Sequence, residues 1–371
     1  MALRAGDWVE VRTRQEILRT LDRDGRLDGM PFMPQMLSYC GQIFRVLRSA
    51  HKSCDPVYTC SGRRLPNAVH LDLRCDGKAY GGCQAGCLLF WKEAWLKPVS
   101  DGWVERPSSS SVQTPAPEQT AASSCCSEED VWRATRADDG RDERDPRYVC
   151  QTTQLCEFTS PLPWWNIVQY VEDYRSGNVS LADLFRGALY VWFGRPLGGR
   201  FDFARRLYDA FQALTGGIAM PMRNGIVPTG QTTPVVSLNL KPGELVRIKS
   251  HEEILATIDS RNMNRGLYFD VEEVPFCGGV YRVRSRVERF IDERTGRIKS
   301  LKTPAVILEG VWCCSRFSTC RMFCPRALYS WWREIWLERV PASDGGEAAP
   351  GQCESSPKAS GPELGAVASG R

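Results

Sequence analysis

Histidine is the scarcest chemistry-bearing residue in this 371-residue chain, present only as His51, His70 and His251. That scarcity narrows the enzymes on offer, because a Cys/His nucleophilic pair needs one of the three beside an activated thiol. Charge of one sign is also missing. The 48 basic and 44 acidic residues leave a net +4, and binding phosphate backbones requires a concentrated basic face. Nucleic acid is therefore not an expected partner, and Arg63-Arg64 reads as solvated surface. No apolar run approaches the roughly 18–20 residues of a spanning helix. The opening Met1-Ala2-Leu3-Arg4-Ala5-Gly6-Asp7 lacks the apolar core of a signal peptide, so the expected location is cytoplasmic. A glycine-rich phosphate loop, a Ser/His/Asp arrangement and a paired acidic metal motif are all absent.

Cysteine, by contrast, is plentiful, with sixteen residues. In a reducing compartment these read as metal ligands or reduced thiols rather than disulfides, or as small buried hydrophobes. An internal repeat sorts them. Gly6-Asp7-Trp8-Val9-Glu10-Val11 returns as Gly243-Glu244-Leu245-Val246-Arg247-Ile248, a displacement of 237 (6 to 243). Glu16-Ile17-Leu18, Thr20, Asp22 and Cys40-Gly41 return as Glu253-Ile254-Leu255, Thr257, Asp259 and Cys277-Gly278. After four extra residues the copies rejoin, Trp91-Lys92-Glu93-Ala94-Trp95-Leu96 matching Trp332-Arg333-Glu334-Ile335-Trp336-Leu337.

Period-2 alternation in Trp8–Arg12 and Leu245–Lys249 predicts strands. Further strands are expected at Ile43–Leu47, Ala68–Leu73, Val280–Val283 and Ala305–Leu308, with closing strands near Trp95–Lys97 and Trp336–Glu338. One short helix, Gln15–Leu21, interrupts the first long loop. Several short strands of this kind predict an α+β fold: two mainly-β, SH3-like small barrels from an internal duplication, flanking a helical module. The boundaries are 1–99 for the first cysteine-rich repeat and 236–340 for the second. Residues 100–146 and 341–371, rich in Ser, Pro, Ala and charge, read as a disordered linker and tail. Between them 147–235 carries helical spacing at Trp164, Ile167, Val168 and Val171. Two more helices follow, Leu181–Tyr190 capped by Ser180, and Asp202–Leu214 stopped by Gly216-Gly217.

Four thiols are shared per copy: Cys40, Cys75, Cys83 and Cys87, and Cys277, Cys313, Cys320 and Cys324. Cys314 competes with Cys313, while Cys54 and Cys60 belong to the first copy alone. Four thiolates suit one tetrahedral zinc ion, whose binding free energy would become folding free energy for long, weakly apolar loops. The same four thiols also suit an iron–sulfur cluster. Buried free thiols or a redox pair are the further alternatives. His70 reads as a packed strand histidine, and Glu93 and Glu334 as structural acceptors. Trp91, Trp95, Trp332 and Trp336 read either as core or as the lining of peptide grooves.

The string Cys75-Asp76-Gly77, Gly81-Gly82-Cys83-Gln84-Ala85-Gly86-Cys87 and Phe90–Leu96 resembles a widespread, uncharacterised bacterial family of duplicated, cysteine-rich proteins. Phe323-Cys324-Pro325-Arg326 with Trp332–Leu337 is similar to the same family. The resemblance spans both copies and the middle helices and implies an architecture more than a chemistry. The expected function is a non-catalytic, cytoplasmic, zinc-pinned scaffold that binds protein or peptide. The alternative is an iron–sulfur or thiol-dependent redox or maturation accessory of a bacterial biosynthetic pathway.

Overall fold

The strand Trp8–Val11 forms because Val9 and Val11 face one way and are fully buried, while Trp8 and Glu10 face the other. Val246 and Ile248 do the same in Leu245–Ile248. The computed structural model describes residues 2–57, 59, 61–99, 126–137, 144–194, 202–215, 219–221, 224–228 and 230–341. It is mixed α+β and contains a curled half-barrel sheet.

The first five-stranded antiparallel sheet runs in the order Leu88–Lys92, Ala68–Arg74, Ile43–Ser49, Trp8–Val11, Leu96–Pro98. The second runs Tyr329–Arg333, Ile298–Trp312, Val280–Ile291, Leu245–Ile248, Leu337–Arg339. In both, the last strand returns beside the first. Register follows the sequence repeat: Trp8 faces Arg45 as Leu245 faces Arg282, and Val69 faces Trp91 as Val306 faces Trp332.

The local devices recur as well. Thr13 with Glu16 and Ser250 with Glu253 form capping boxes on helices α1 (Arg14–Leu18) and α6 (His251–Leu255). Asp22 accepts from the amides of Asp24 and Arg26, as Asp259 does from Arg261 and Met263. Trp95 Nε1 donates to Thr20 Oγ1 at 3.1 Å and Trp336 Nε1 to Thr257 Oγ1 at 2.8 Å. All four tryptophans of the Trp-x-Glu-x-Trp segments are fully buried, so they form core and line no surface groove. Glu93 accepts from Leu3 N, and Glu334 from the amides of Leu238, Asn239 and Leu240. These carboxylates fasten the chain as it enters each sheet.

The copies differ beyond the third strand position. The second has one long hairpin, Val280–Ile291 with Ile298–Trp312, where short strands were expected. The first inserts a separate hairpin, Lys52–Asp55 with Ser61–Arg64, joined by Ser160–Leu162. Alternation could not reveal it, since Lys52, Ser53, Cys54 and Asp55 are all buried. Arg63, expected in solvent, is buried here too. It bonds Thr159 and the Cys156 carbonyl, and Arg64 pairs with Glu172.

Within the stretch read as linker, α2 (Glu128–Arg133) is capped by Ser127 and Asp130 and buries Val131. Residues 342–371 lie outside the described residues. The helical module comprises α3 (Val168–Arg175), α4 (Leu181–Gly194) and α5 (Asp202–Thr215). The Gly216-Gly217 stop lies outside the described residues. Buried Lys52 ties this module to the first half's separate hairpin and to the second half's Met322 turn: its Nζ is 2.6 Å from Asp173 Oδ2 on α3 and donates to the Met322 carbonyl at 2.8 Å. His51 Nε2 lies 3.0 Å from Asp173 Oδ1, an ion-pair distance at an angle that makes no hydrogen bond.

His70 is fully buried on Phe90, its Nδ1 2.9 Å from the Leu89 carbonyl. Burial first, then the nearby arginines Arg48, Arg74 and Arg326, hold its pKa down to about 3. The ring therefore stays neutral in the fold and takes a proton on unfolding. Its contribution is complete above the unfolded pKa near 6.5 and is lost as pH falls toward 3, at about 1.4 kcal/mol per pH unit. In urea titrations between pH 7 and 4, His70→Phe should flatten the acid loss of stability by about that slope; an unchanged slope would remove His70 as its source.

Candidate functional site

The loop Cys75–Cys87 is shaped by glycine. Gly77, Gly81, Gly82 and Gly86 all have positive φ, and a Cβ on Gly77 would sit 1.9 Å from the Cys83 carbonyl oxygen. Backbone bonds close the loop, from Cys75 N to Cys87 O and from Cys83 N to Tyr80 O. It therefore brings Cys75, Cys83 and Cys87 around one cavity of about 40 Å³, which Cys150 and Glu293 also line. Burial pushes the Cys75, Cys83 and Cys87 thiols up. The Ile291 amide donates to Cys83 Sγ at 3.4 Å.

Cys40 stands elsewhere. It caps the 3₁₀ turn Pro34–Tyr39, and Arg14 and Glu128 are its charged neighbours. Cys277 caps Val271–Phe276 in the same way, beside Glu273. These two recur because the turn recurs, and neither lines the cavity of the Cys75–Cys87 loop.

In the second copy, Cys324 is buried, Cys313 half-buried beside Ser315, and Cys320 exposed. Cys314 is disulfide-bonded, so the free thiol of the Cys313-Cys314 pair is Cys313. Cys54, private to the first copy, meets Cys324, and the two buried thiols interact. That contact, with Arg326 and Arg321 nearby, lowers the Cys54 pKa, while burial pushes Cys324 up. Cys60 lies outside the described residues. Among the described residues no group of three or more His, Cys, Asp or Glu side chains is placed to hold a metal ion.

The two loops are met reciprocally. The Lys52–Arg64 hairpin reaches the second copy's loop through Cys54 at Cys324, with Gly62 close to the Cys320 carbonyl. The long second hairpin reaches the first copy's loop, with Ile291 at Cys83 and Gln84 N bonding Arg289 O at 3.1 Å. Positions 54 and 291 are themselves 237 apart. Buried Arg326 joins the two junctions, donating to Cys54 O at 2.9 Å and to Glu293 Oε1 at 2.7 Å.

A second feature is apolar. Trp164, Trp165, Tyr170, Leu184, Val191 and Phe323 line an open cavity of about 480 Å³ between α3, α4 and the Met322-Phe323 turn. Trp165 and Trp192, which line it, are 67% and 74% exposed, and Phe203 and Leu214 on α5 are 73% and 87% exposed. The module's aromatics thus divide: Tyr208 is core, while Trp165 and Trp192 face solvent. No helix among the described residues is long and apolar enough to cross a membrane. No protein-family model matches the chain, and no curated protein matches it.

The Cys75–Cys87 loop depends on its glycines. Gly77→Ala combines a left-handed φ of +69° with the clash at Cys83 and should cost about 3 kcal/mol or more. Gly41→Ala, at φ +77° with open space around it, should cost only about 1 kcal/mol. Equal losses in chemical denaturation would show that the loop yields to the added methyl.

Proposed function

We propose that the chain is a non-catalytic scaffold that self-associates through the apolar face of α3, α4 and α5. On this reading two SH3-like units from an internal duplication, their cysteine loops held by structural zinc, form the rigid base. The observation that carries it is the exposed apolar face itself. Soluble monomers rarely leave contiguous apolar patches beyond a few hundred Å² uncovered. Here Trp165 and Ile167, just before α3, and Val168, Trp192, Phe203, Leu207 and Leu214, on α3, α4 and α5, are all exposed.

A second copy of the chain is the occupant that suits this face. An isologous contact needs a hollow and a ridge on the same surface. The hollow is the cavity floored by Tyr170 and Phe323. The ridge is α5, where Phe203, Leu207 and Leu214 project at helical spacing while Tyr208 and Gln212 are buried on the other side. Laying the ridge of one copy in the hollow of the other follows the helix-in-groove mode of recognition. The equal strand order and the recurrent caps support the duplication. The free thiols among the described residues accord with the cytoplasm, while the disulfide at Cys314 runs against the expectation of reduced thiols throughout.

A thiol-dependent redox role has one observation in its favour, the buried Cys54–Cys324 pair with arginines beside it. Anaerobic purification with elemental analysis and a visible spectrum separates the two: zinc without colour supports the scaffold, and iron with sulfide supports the accessory.

The scaffold reading is tested by molar mass in solution. Light scattering on a sizing column should give a dimer at micromolar concentration. Trp192→Asp with Leu207→Asp, both exposed, should give a monomer with unchanged circular dichroism and melting temperature. A wild-type monomer, or a double variant that remains dimeric, would overturn the face as the site of self-association.

A further inference from the structure

We propose that the Cys75–Cys87 loop binds zinc with Cys150 as its fourth ligand, in place of Cys40. The inference rests on the reading that the cysteine loops hold structural zinc, and it assigns the ligands of the first. Cys150 lies 63 residues beyond Cys87 (87 to 150), past the linker, and outside the repeat. The fold nevertheless brings it to the cavity that Cys75, Cys83 and Cys87 line.

Its position there is built. The Cys150 amide donates to Thr153 Oγ1 at 2.9 Å, its carbonyl accepts from Gln154 N at 3.1 Å, and the adjoining Gln151 side chain bonds both Phe90 N and Phe90 O. Cys150 therefore opens a turn clamped to the strand that follows Cys87. The cavity is small, about 40 Å³. The sulfurs stand around it without yet forming a ligating group, and an ion would draw them together and fill it.

Burial disfavours free thiolates here, so a bound cation and nearby donors would have to offset it. Ile291 N donates to Cys83 Sγ at 3.4 Å, while the Cys75 thiol donates to Gln35 Oε1 at 3.4 Å. An amide donating to sulfur favours the ionised form, as hydrogen bonds to any charged form do. Four thiolates around Zn²⁺ carry a net charge of −2, and two arginines stand beside Cys87 to offset it: Arg326, which is buried, and Arg74, which donates to the Gly86 carbonyl. The one carboxylate in the cavity, Glu293, is bonded by Arg326 at 2.7 Å and leaves the donor set to sulfur. A pure sulfur set with tetrahedral freedom selects zinc among the common divalent ions.

Binding releases protons as the thiols become ligands, Cys–SH giving up H⁺ to solvent with no change of oxidation state. The test is zinc per chain, by elemental analysis of protein purified under reducing conditions, for wild type, Cys150→Ser, Cys150→His and Cys40→Ser. Cys150→Ser should lose one equivalent, and Cys40→Ser should lose none. Cys150→His should regain it, with a cobalt-substituted absorption spectrum showing one thiolate fewer than wild type. The histidine variant keeps the test decisive if the serine variant fails to fold. Full zinc in Cys150→Ser, or an equivalent lost from Cys40→Ser, would overturn the assignment of Cys150. Wild type without zinc would instead overturn the zinc reading as a whole.

Discussion

The two halves of the molecule depend on one buried guanidinium. Arg326 is 1% exposed and donates to the Cys54 carbonyl and to Glu293. A charge taken out of water must keep its partners, because removing one leaves several kcal/mol of uncompensated desolvation. The two partners belong to hairpins of different copies, and Arg326 itself follows Cys324 by two residues. One side chain thus fixes both the Lys52–Arg64 hairpin of the first half and the long hairpin of the second against the second half's cysteine loop.

That reciprocity gives the differences between the two halves a physical reason. The strands, caps and tryptophan–threonine bonds recur because each closes within its own half and serves the same local need twice. The hairpins differ because each meets a different loop. Position 54 carries a thiol that meets Cys324, while the matching position 291 carries an apolar residue whose amide reaches Cys83. The Lys52–Arg64 hairpin then holds α3, through the buried Lys52–Asp173 pair.

Much of each half could be read directly from the chain. Alternation at Trp8–Val11 and the Thr13–Glu16 and Ser250–Glu253 boxes involve neighbours a few residues apart, so pattern and structure coincide. The Trp-x-Glu-x-Trp segments marked their own importance by recurring, but whether they faced core or solvent depended on the strands around them. The hairpin at Lys52–Arg64 was invisible because its buried residues are polar, satisfied by partners as distant as Asp173, Met322 and Thr159. Helix α2 escaped notice because one buried residue, Val131, and a cap hold six residues in otherwise linker-like composition.

The cysteines mark the division most clearly. The repeat alone determined that Cys40, Cys75, Cys83 and Cys87 had counterparts, since recurrence is a property of the string. It treated all four alike, because a turn that caps with cysteine and a loop that gathers cysteines both repeat. Only the tertiary structure decided that Cys40 stands apart, that Cys150 shares the cavity of Cys75, Cys83 and Cys87, and that Cys54 meets Cys324. Those meetings are made by chain segments tens to hundreds of residues apart, brought together by buried charge and packing that no local pattern encodes.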